Sequence, residues 1–200
     1  MGNWHDYFIE NTEILKNKLG ITNQDELSKR ESEIVVSKLS YLYINGMNGD
    51  FSINHLCQIH KFLFGDLYEF AGEFRDVDMR KITIFVPHQE IKERLEELFS
   101  KMDNFNFNEG NKFEIAKYVA EFYYGIIEIH PFREGNGRTS REFIRQLVLA
   151  KFPKYELDYT KINKENFQIG VIDYRHYPLL LAYEIYNALG EVENVKDATR

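Results

Sequence analysis

The densest set of reactive side chains in this sequence is the run HPFREGNGRTSR at residues 130–141. His130 carries an imidazole, whose ordinary pKa of about 6.5 suits removal of a proton from a hydroxyl group. Glu134 can hold Mg²⁺, an ion that binds through one or two carboxylates together with phosphate oxygens. Glycines and arginines surround both residues, and this mixture is typical of anion sites. The run therefore predicts a site for a nucleotide polyphosphate.

The glycine-flanked centre of the run is suited to form an anion cradle. Gly135, Asn136 and Gly137 can adopt backbone conformations, including positive φ, that larger residues resist. Successive N–H groups in such a turn can converge on an anion. The apolar spacing that follows predicts a helix over Arg138–Phe152, whose N-terminal N–H groups and positive dipole end would face the same anion.

Three arginines continue the run along this helix. Arg138, Arg141 and Arg145 recur at i, i+3 and i+7, so we expect their guanidinium groups on one face. Two or three planar cations beside a cluster of N–H groups suit several phosphates better than one carboxylate. Together with a base at His130, they favour direct transfer of part of a nucleotide to an alcohol.

Each part of the run also has an ordinary structural explanation. A histidine before a proline often ends a helix, and Gly-Asn-Gly alone usually forms a turn. Alternating Arg and Glu on a helix is typical of a solvated face. Thr139 and Glu142 could form a capping box that starts the helix one turn later. The occurrence of all the parts together and in order favours the catalytic interpretation.

The run resembles the Fic motif, H-P-F-x-[D/E]-G-N-G-R-x-x-R, at every specified position. Residues 15–22 and 60–75 are similar to the first segment of that family and to the stretch before its flap, so the resemblance covers roughly residues 15–165. It implies an all-α fold, a helical bundle with a short β-hairpin flap. We expect a single Fic domain over residues 1–200, with a C-terminal helical segment at 166–200.

The resemblance implies transfer of AMP from ATP to a Ser, Thr or Tyr hydroxyl of a target protein. It makes His130 the general base and Glu134 the Mg²⁺ ligand. In the Doc-like branch, which moves a phosphoryl group, lysine stands at the position of Gly137, so Gly137 favours AMP transfer. The residues implied to bind the nucleotide are Lys81, Ile82, Gly135, Asn136, Gly137, Arg138 and Arg141, with the two arginines on the distal phosphates.

The segment Arg80–Pro87 breaks the helical pattern. Its β-branched residues alternate along the chain, which predicts a short extended element. In the family this place holds the flap, which aligns the target chain by strand addition. A loop strand packed on the core is the alternative explanation. The segment is about one residue shorter than common flaps and lacks their glycines, so it leaves the target's identity open.

Regulation is predicted from a missing pattern. Many Fic proteins carry an inhibitory helix, [S/T]-x-x-x-E-[G/N], whose glutamate captures the second motif arginine. Thr22 and Glu26 have the spacing, but Leu27 follows them; Glu193 precedes Asn194, but a leucine stands four residues before it. We therefore expect a separate small antitoxin to contribute a glutamate to Arg141, as in a toxin–antitoxin pair.

The composition of the chain limits the number of domains, the possible function classes and the cellular location. A chain of 200 residues with 44% hydrophobic residues can bury one sizeable core, and the net charge of −7 argues against nucleic-acid binding. The single Cys57 fits a reducing compartment. No apolar run reaches membrane length, and residues 1–20 lack the apolar core of a secretory leader. We expect a bacterial cytoplasmic protein, or an effector delivered to a host cytosol.

Apolar periodicity predicts mostly helix outside the run. The remaining expected helices are Asp25–Asn45, Asn54–Phe64, Gln89–Met102, Lys112–Ile129, Asn163–Ile172 and Pro178–Leu189. The histidines at 55, 60, 88 and 176 rank low as functional residues, because no pair has convincing metal-ligand spacing.

Three other functions remain open. The chain could transfer a phosphoryl group, or it could transfer UMP or phosphocholine from another donor. It could also be a non-enzymatic module that binds proteins, although the complete His, Glu, Asn and Arg set disfavours this.

Overall fold

The computed structural model describes residues 4–80, 85–103 and 111–192. Helices dominate this part of the chain, which confirms the predicted all-α class. The described helices are α1 Gln24–Asn45, α2 Ile53–Phe64, α3 Ile91–Asp103, α4 Lys112–Ile129, α5 Asn136–Lys151, α6 Lys164–Ile172 and α7 Pro178–Ala188. Two three-residue strands, β1 Tyr155–Leu157 and β2 Leu189–Glu191, were not predicted and pair antiparallel. No described helix is long and apolar enough to cross a membrane.

Polar caps explain where several helices begin. The side chains of Asn23, Ser52 and Asn163 accept hydrogen bonds from main-chain N–H groups in the first turns of α1, α2 and α6. Pro178 starts α7, where its missing N–H has no intrahelical role. The predicted bounds of these helices agree with the observed ones to within a residue.

The chain divides into two units. The first comprises residues 1–100 and 126–143, and the second comprises residues 101–125 and 144–200. Residues 130–141 belong entirely to the first unit, together with α1 and α2. The expectation of a single domain over residues 1–200 stays a prediction.

The first unit has an aromatic core beneath the motif. Leu63, Phe64, Phe132 and Phe143 are at most 1% exposed, and they bury large apolar surfaces around the ends of α2 and the motif loop. Lys38 joins α1 to α2, because its Nζ donates to the carbonyl of Phe62 over 2.7 Å. The segment before α1 is attached through Lys18, whose N–H donates to the Leu67 carbonyl over 2.8 Å.

In the second unit, α6 and α7 pack at close range. A Cβ placed on Gly170 would lie 2.9 Å from the main-chain nitrogen of Leu181, so only glycine allows this approach. The buried Glu184 of α7 accepts hydrogen bonds from the Asn163 N–H and the Asn166 side chain, over 2.8 and 3.1 Å. These contacts fix the start of α6 against α7.

Candidate active site

His130 takes an unusual backbone conformation at the end of α4. Its φ is +51°, in the left-handed region that few non-glycine residues occupy. Its N–H donates to the Ile126 carbonyl over 2.9 Å, so it closes the last turn of the helix. Arg75 binds the carbonyls of His130 and Pro131: its Nε donates to His130 O, and its main-chain N–H donates to Pro131 O, each over 2.8 Å.

The imidazole of His130 is held between a ring and a carbonyl. It stacks on Phe85, with ring centroids 3.8 Å apart and planes 9° apart. Its Nδ1 lies 3.3 Å from the carbonyl of Ile127. A proton on Nδ1 satisfies that carbonyl, and the neutral ring then carries its lone pair on Nε2. Nε2 is thus the atom suited to accept a proton.

Asn136 closes the loop that follows His130. Its Oδ1 accepts from the Phe132 N–H over 2.9 Å, and its Nδ2 donates to the Phe132 carbonyl over 2.7 Å. The sequence predicted Asn136 as part of the anion cradle. Since its amide is committed to the loop, Asn136 offers an anion its main-chain N–H at the start of α5.

The two glycines of the run have different conformations. Gly135 has φ +81°, and a Cβ there would lie 2.3 Å from Cε2 of Phe64, so both backbone and packing require glycine. Gly137 lies in the first turn of α5. The predicted start of this helix at Arg138 was therefore two residues late, because Gly135 alone makes the turn. Thr139 lies inside the helix, which excludes the delayed capping box.

The N-terminus of α5 has main-chain N–H groups of the kind that bind anions. The first intrahelical bond runs from the Thr139 N–H to the Gly135 carbonyl over 3.0 Å. The N–H groups of Asn136, Gly137 and Arg138 precede it, so they have no carbonyl one turn earlier in the helix to bind. Such a terminus attracts phosphate through these donors and the helix dipole.

Arg138 is engaged by two carboxylates. Its Nη1 lies 2.6 Å from Oε1 of Glu31, and its Nη2 lies 3.3 Å from Oε1 of Glu134. The guanidinium also lies over the Phe64 ring, 4.7 Å from the centroid. Glu31 accepts a further hydrogen bond from Tyr68, whose pKa is raised by burial, so the hydroxyl remains a donor. Sequence reasoning missed Glu31, since it comes from α1 and matches no motif.

Arg141 is half-buried beside the same helix start. A Cβ placed on Gly137 would lie 3.3 Å from Nη1 of Arg141, so the guanidinium lies next to this glycine. Arg145 differs, because it is 7% exposed and belongs to the second unit. Of the three predicted arginines, Arg138 and Arg141 are the two that lie at the start of α5.

Glu134 has the properties of a magnesium ligand. Its side chain is 36% exposed, and its Oε1 accepts from the Gly135 N–H over 2.8 Å. Among the described residues, no group of three or more His, Cys, Asp or Glu side chains could hold a metal ion. One accessible carboxylate at an anion-binding helix start fits an ion that takes its other ligands from phosphate and water.

His60 holds the main chain of Glu134 in place. The sequence analysis ranked His60 low as a functional residue, because its spacing from the other histidines does not suit a metal site. It is fully buried and stacks on Phe132, with centroids 3.9 Å apart. Its Nδ1 accepts from the Gly72 N–H over 2.7 Å, so Nε2 carries the proton and donates to the Glu134 carbonyl over 2.9 Å. Burial lowers the pKa of His60 to about 4, which keeps the ring neutral.

Arg133, the variable position of the motif, is surrounded by aromatic rings from the N-terminal segment. Its guanidinium carbon lies 4.2 Å from the ring centroid of Trp4, 4.9 Å from that of Phe8 and 5.4 Å from that of Tyr7. Burial lowers the pKa of Arg133 from its ordinary value. These cation–π contacts join residues 4–8 to the motif loop.

A cavity of about 370 Å³ opens beside the motif. Its charged lining residues are Glu13, Glu31, Glu134 and Arg133.

The predicted flap is described only at its ends. Lys81 and Ile82, expected to contact the nucleotide, lie outside the described residues. At the described ends, the Phe85 N–H donates to the Met79 carbonyl over 3.3 Å, and the Val86 N–H donates to the Glu128 carbonyl over 3.4 Å. These bonds hold the end of the segment beside the last turn of α4.

Comparisons with known proteins identify the family of this chain. Residues 50–148 match the model of the Fic/DOC family. The curated "Probable protein adenylyltransferase y4lH" of Sinorhizobium fredii is 32% identical over 165 residues, which cover 80% of this chain and 83% of that protein. The chain belongs to the Fic/DOC family.

Other Fic/DOC relatives extend the match beyond the motif. The protein adenylyltransferase VbhT of Bartonella schoenbuchensis is 33% identical over 169 residues, which are 84% of this chain and 35% of VbhT. The chain thus spans about a third of that relative. The ADP-bound N-terminal Fic domain of a VirB-translocated Bep effector from Bartonella quintana has a TM-score of 0.87 at 27% identity, covering 94% of this chain and 96% of that domain.

Proposed function

We propose that this Fic/DOC chain transfers AMP from ATP to a Ser, Thr or Tyr hydroxyl of a target protein. The observation that best supports this proposal is that two features lie in the same unit. One is His130, whose Nε2 is suited to accept a proton, and the other is the set of N–H groups and arginines at the start of α5. The names of the relatives and the ADP bound by the Bep domain support a nucleotide donor.

In the proposed reaction, Nε2 of His130 removes the proton of the target hydroxyl. The hydroxyl oxygen attacks the α-phosphorus, and the bond from that phosphorus to the oxygen of the departing pyrophosphate breaks. The first N–H groups of α5 hold the phosphate oxygens, as a helix N-terminus does for anions. Arg141 and Arg138 bind the distal phosphates and stabilise the charge that leaves with pyrophosphate.

Glu134 would hold Mg²⁺ beside the phosphates of the nucleotide. When bound, this ion neutralises phosphate charge and fixes the orientation of the chain of phosphates. The Gly135 N–H and His60 hold Glu134 in place for this role, one through its carboxylate and the other through its carbonyl.

We also propose that the target chain docks on the flap around Arg80–Pro87, and that a small antitoxin contributes a glutamate to Arg141. The absence of a complete [S/T]-x-x-x-E-[G/N] sequence motivates the second proposal. The test is the activity of the purified chain. A chain that is inactive alone and becomes active when Glu26 or Glu193 is replaced would contradict inhibition in trans.

The main experiment incubates the chain with α-labelled ATP, Mg²⁺ and a bacterial lysate, beside a His130→Ala chain. We expect a labelled protein band with the first chain and none with the second, because the variant lacks the base. A parallel reaction with γ-labelled ATP separates the alternatives, since only phosphoryl transfer moves that label. Label from γ-labelled ATP alone, or equal labelling by His130→Ala, would overturn the proposed function.

A further inference from the structure

Arg75 connects the catalytic loop to the flap through one buried side chain. It is 2% exposed, and its guanidinium makes four hydrogen bonds to main-chain carbonyls. Nε donates to His130 O over 2.8 Å, and Nη1 donates to Val77 O over 2.7 Å. Nη2 donates to Val86 O over 2.5 Å and to Ile129 O over 3.2 Å.

The four acceptors lie on two separate parts of the chain. Ile129 and His130 form the end of α4 and carry the base. Val77 precedes the flap, and Val86 lies at its end. One planar guanidinium therefore fixes the distance between the segment proposed to hold the target and the residue proposed to deprotonate it.

A second contact makes the same connection. The Phe85 ring stacks on His130, and Phe85 is the neighbour of Val86 in the chain. A shift of Val86 away from Arg75 would move Phe85, and the imidazole would lose the face that holds it. Since His130 has a strained positive φ, its carbonyl also depends on Arg75 for its position.

We infer that Arg75 is a positioning residue that sets the reach from His130 to the target hydroxyl. This inference rests on the proposed function. Arg75 would then couple the flap to His130, because the position of the docked target chain and the orientation of the imidazole depend on the same side chain.

Arg75→Lys changes the hydrogen-bonding geometry of the side chain and keeps its positive charge. Lysine keeps the positive charge, but its donors radiate from one nitrogen and cannot span the carbonyls that the guanidinium fork reaches. Arg30→Lys is the matched control, because Arg30 lies exposed on α1 and pairs with Glu33. Both variants replace arginine by lysine within the first unit.

The experiment uses α-labelled ATP, Mg²⁺ and a bacterial lysate, and it measures the initial rate of protein labelling against ATP concentration. For Arg75→Lys we expect the rate at saturating ATP to fall on the order of 100-fold, as for a misplaced catalytic group. The ATP concentration at half-maximal rate should stay within about twofold, because α5 holds the phosphates. Arg30→Lys should match the unaltered chain in both quantities.

A second measurement follows the histidine ring directly. In a chain with ¹⁵N-labelled histidine, His130→Ala identifies the His130 signals, which are displaced by the stacked Phe85 ring. Arg75→Lys should move those signals and leave the His60 signals in place. Unchanged labelling kinetics or unchanged His130 signals would overturn the inference, and so would parallel changes in rate and ATP half-saturation with loss of the His60 signals.

The two proposals fail in different ways. If the unaltered chain labels no protein, the proposed function is wrong, and the inference is then decided by the His130 signals of Arg75→Lys. If the unaltered chain labels its target and Arg75→Lys does so equally well, the positioning role alone is wrong.

Discussion

Glu31 Oε1 lies 2.6 Å from Nη1 of Arg138, so a carboxylate from α1 holds an arginine of the nucleotide motif. The pair is largely shielded from water, because the side chains are 14% and 25% exposed. A phosphate arriving at α5 must therefore compete with Glu31 for the guanidinium. Under the proposed function, the Glu31 carboxylate therefore weakens the binding of the nucleotide phosphates.

Glu31→Gln should strengthen nucleotide binding. The amide removes a negative charge beside the phosphate site and releases Arg138, an effect of about 1 kcal/mol, or about fivefold in Kd. The measurement is calorimetric titration with a non-hydrolysable ATP analogue and Mg²⁺. Glu33→Gln on the same helix is the control, because Glu33 is exposed and pairs with Arg30. Weaker binding by Glu31→Gln would show that Glu31 orients Arg138 for the phosphate instead.

Gly135→Ala should destabilise the first unit far more than Gly137→Ala. The methyl group at 135 would strain a left-handed residue and collide with Phe64, for a loss of about 3 kcal/mol in the free energy of unfolding. At 137 the backbone is helical and the nearest atom is the end of a flexible side chain, so we expect a change within about 1 kcal/mol. Urea denaturation of both variants measures the difference, and equal losses would contradict it.

Gly137→Ala should weaken nucleotide binding, with little effect on stability. The added methyl group would lie 3.3 Å from Nη1 of Arg141 and displace it from the helix start. We expect the ATP concentration at half-maximal labelling to rise about threefold, while the unfolding free energy stays near that of the unaltered chain. A lower half-saturation would mean that Arg141 moves toward the phosphates.

The pH dependence of stability should carry a contribution from His60. The folded-state pKa of His60 is about 4, below its ordinary value of 6.5. The unfolded chain therefore binds this proton first, so the contribution is complete above pH 6.5 and is lost as the pH falls toward 4. The loss approaches about 3 kcal/mol. It is measured by urea denaturation at pH 7 and 5, where His60→Gln should show a shallower slope and His5→Gln, at an exposed position, should not.

Arg133→Met should release the N-terminal segment from the motif loop. Methionine retains much of the volume but loses the cation that faces Trp4, Phe8 and Tyr7. Trp4 is the single tryptophan of the chain, so tryptophan fluorescence reports on the surroundings of this one ring. We expect a red-shifted emission and faster tryptic cleavage at Lys16, with Arg30→Met as the unaffected control. An unchanged emission spectrum would show that the rings hold the segment without the cation.

Local patterns in the sequence were sufficient to predict the helices. The predicted Lys112–Ile129 coincides with α4, because apolar periodicity and the following proline both act within a few residues. The start of α5 was misplaced, since the conformation of Gly135 depends on packing against Phe64. The strands β1 and β2 were missed because three residues are too few to display alternation.

The residues that hold the candidate site in place could not be predicted in the same way. His60 and Arg75 bind main-chain carbonyls, and a sequence does not show which carbonyls a fold will bring to a buried side chain. Glu31 meets Arg138 only after α1 folds against the motif. The residues proposed to be catalytic were recognisable because they lie in one contiguous run.

The aromatic ring of Trp4 and the carboxylate of Glu31 both lie before residue 50, where the family match begins. A protein trimmed to that match would retain the complete HPFREGNGRTSR run, but it would lose the aromatic rings that engage Arg133 and the Glu31 carboxylate that pairs with Arg138. A fragment that keeps these arginine contacts has to begin before residue 50 and include Trp4 and Glu31.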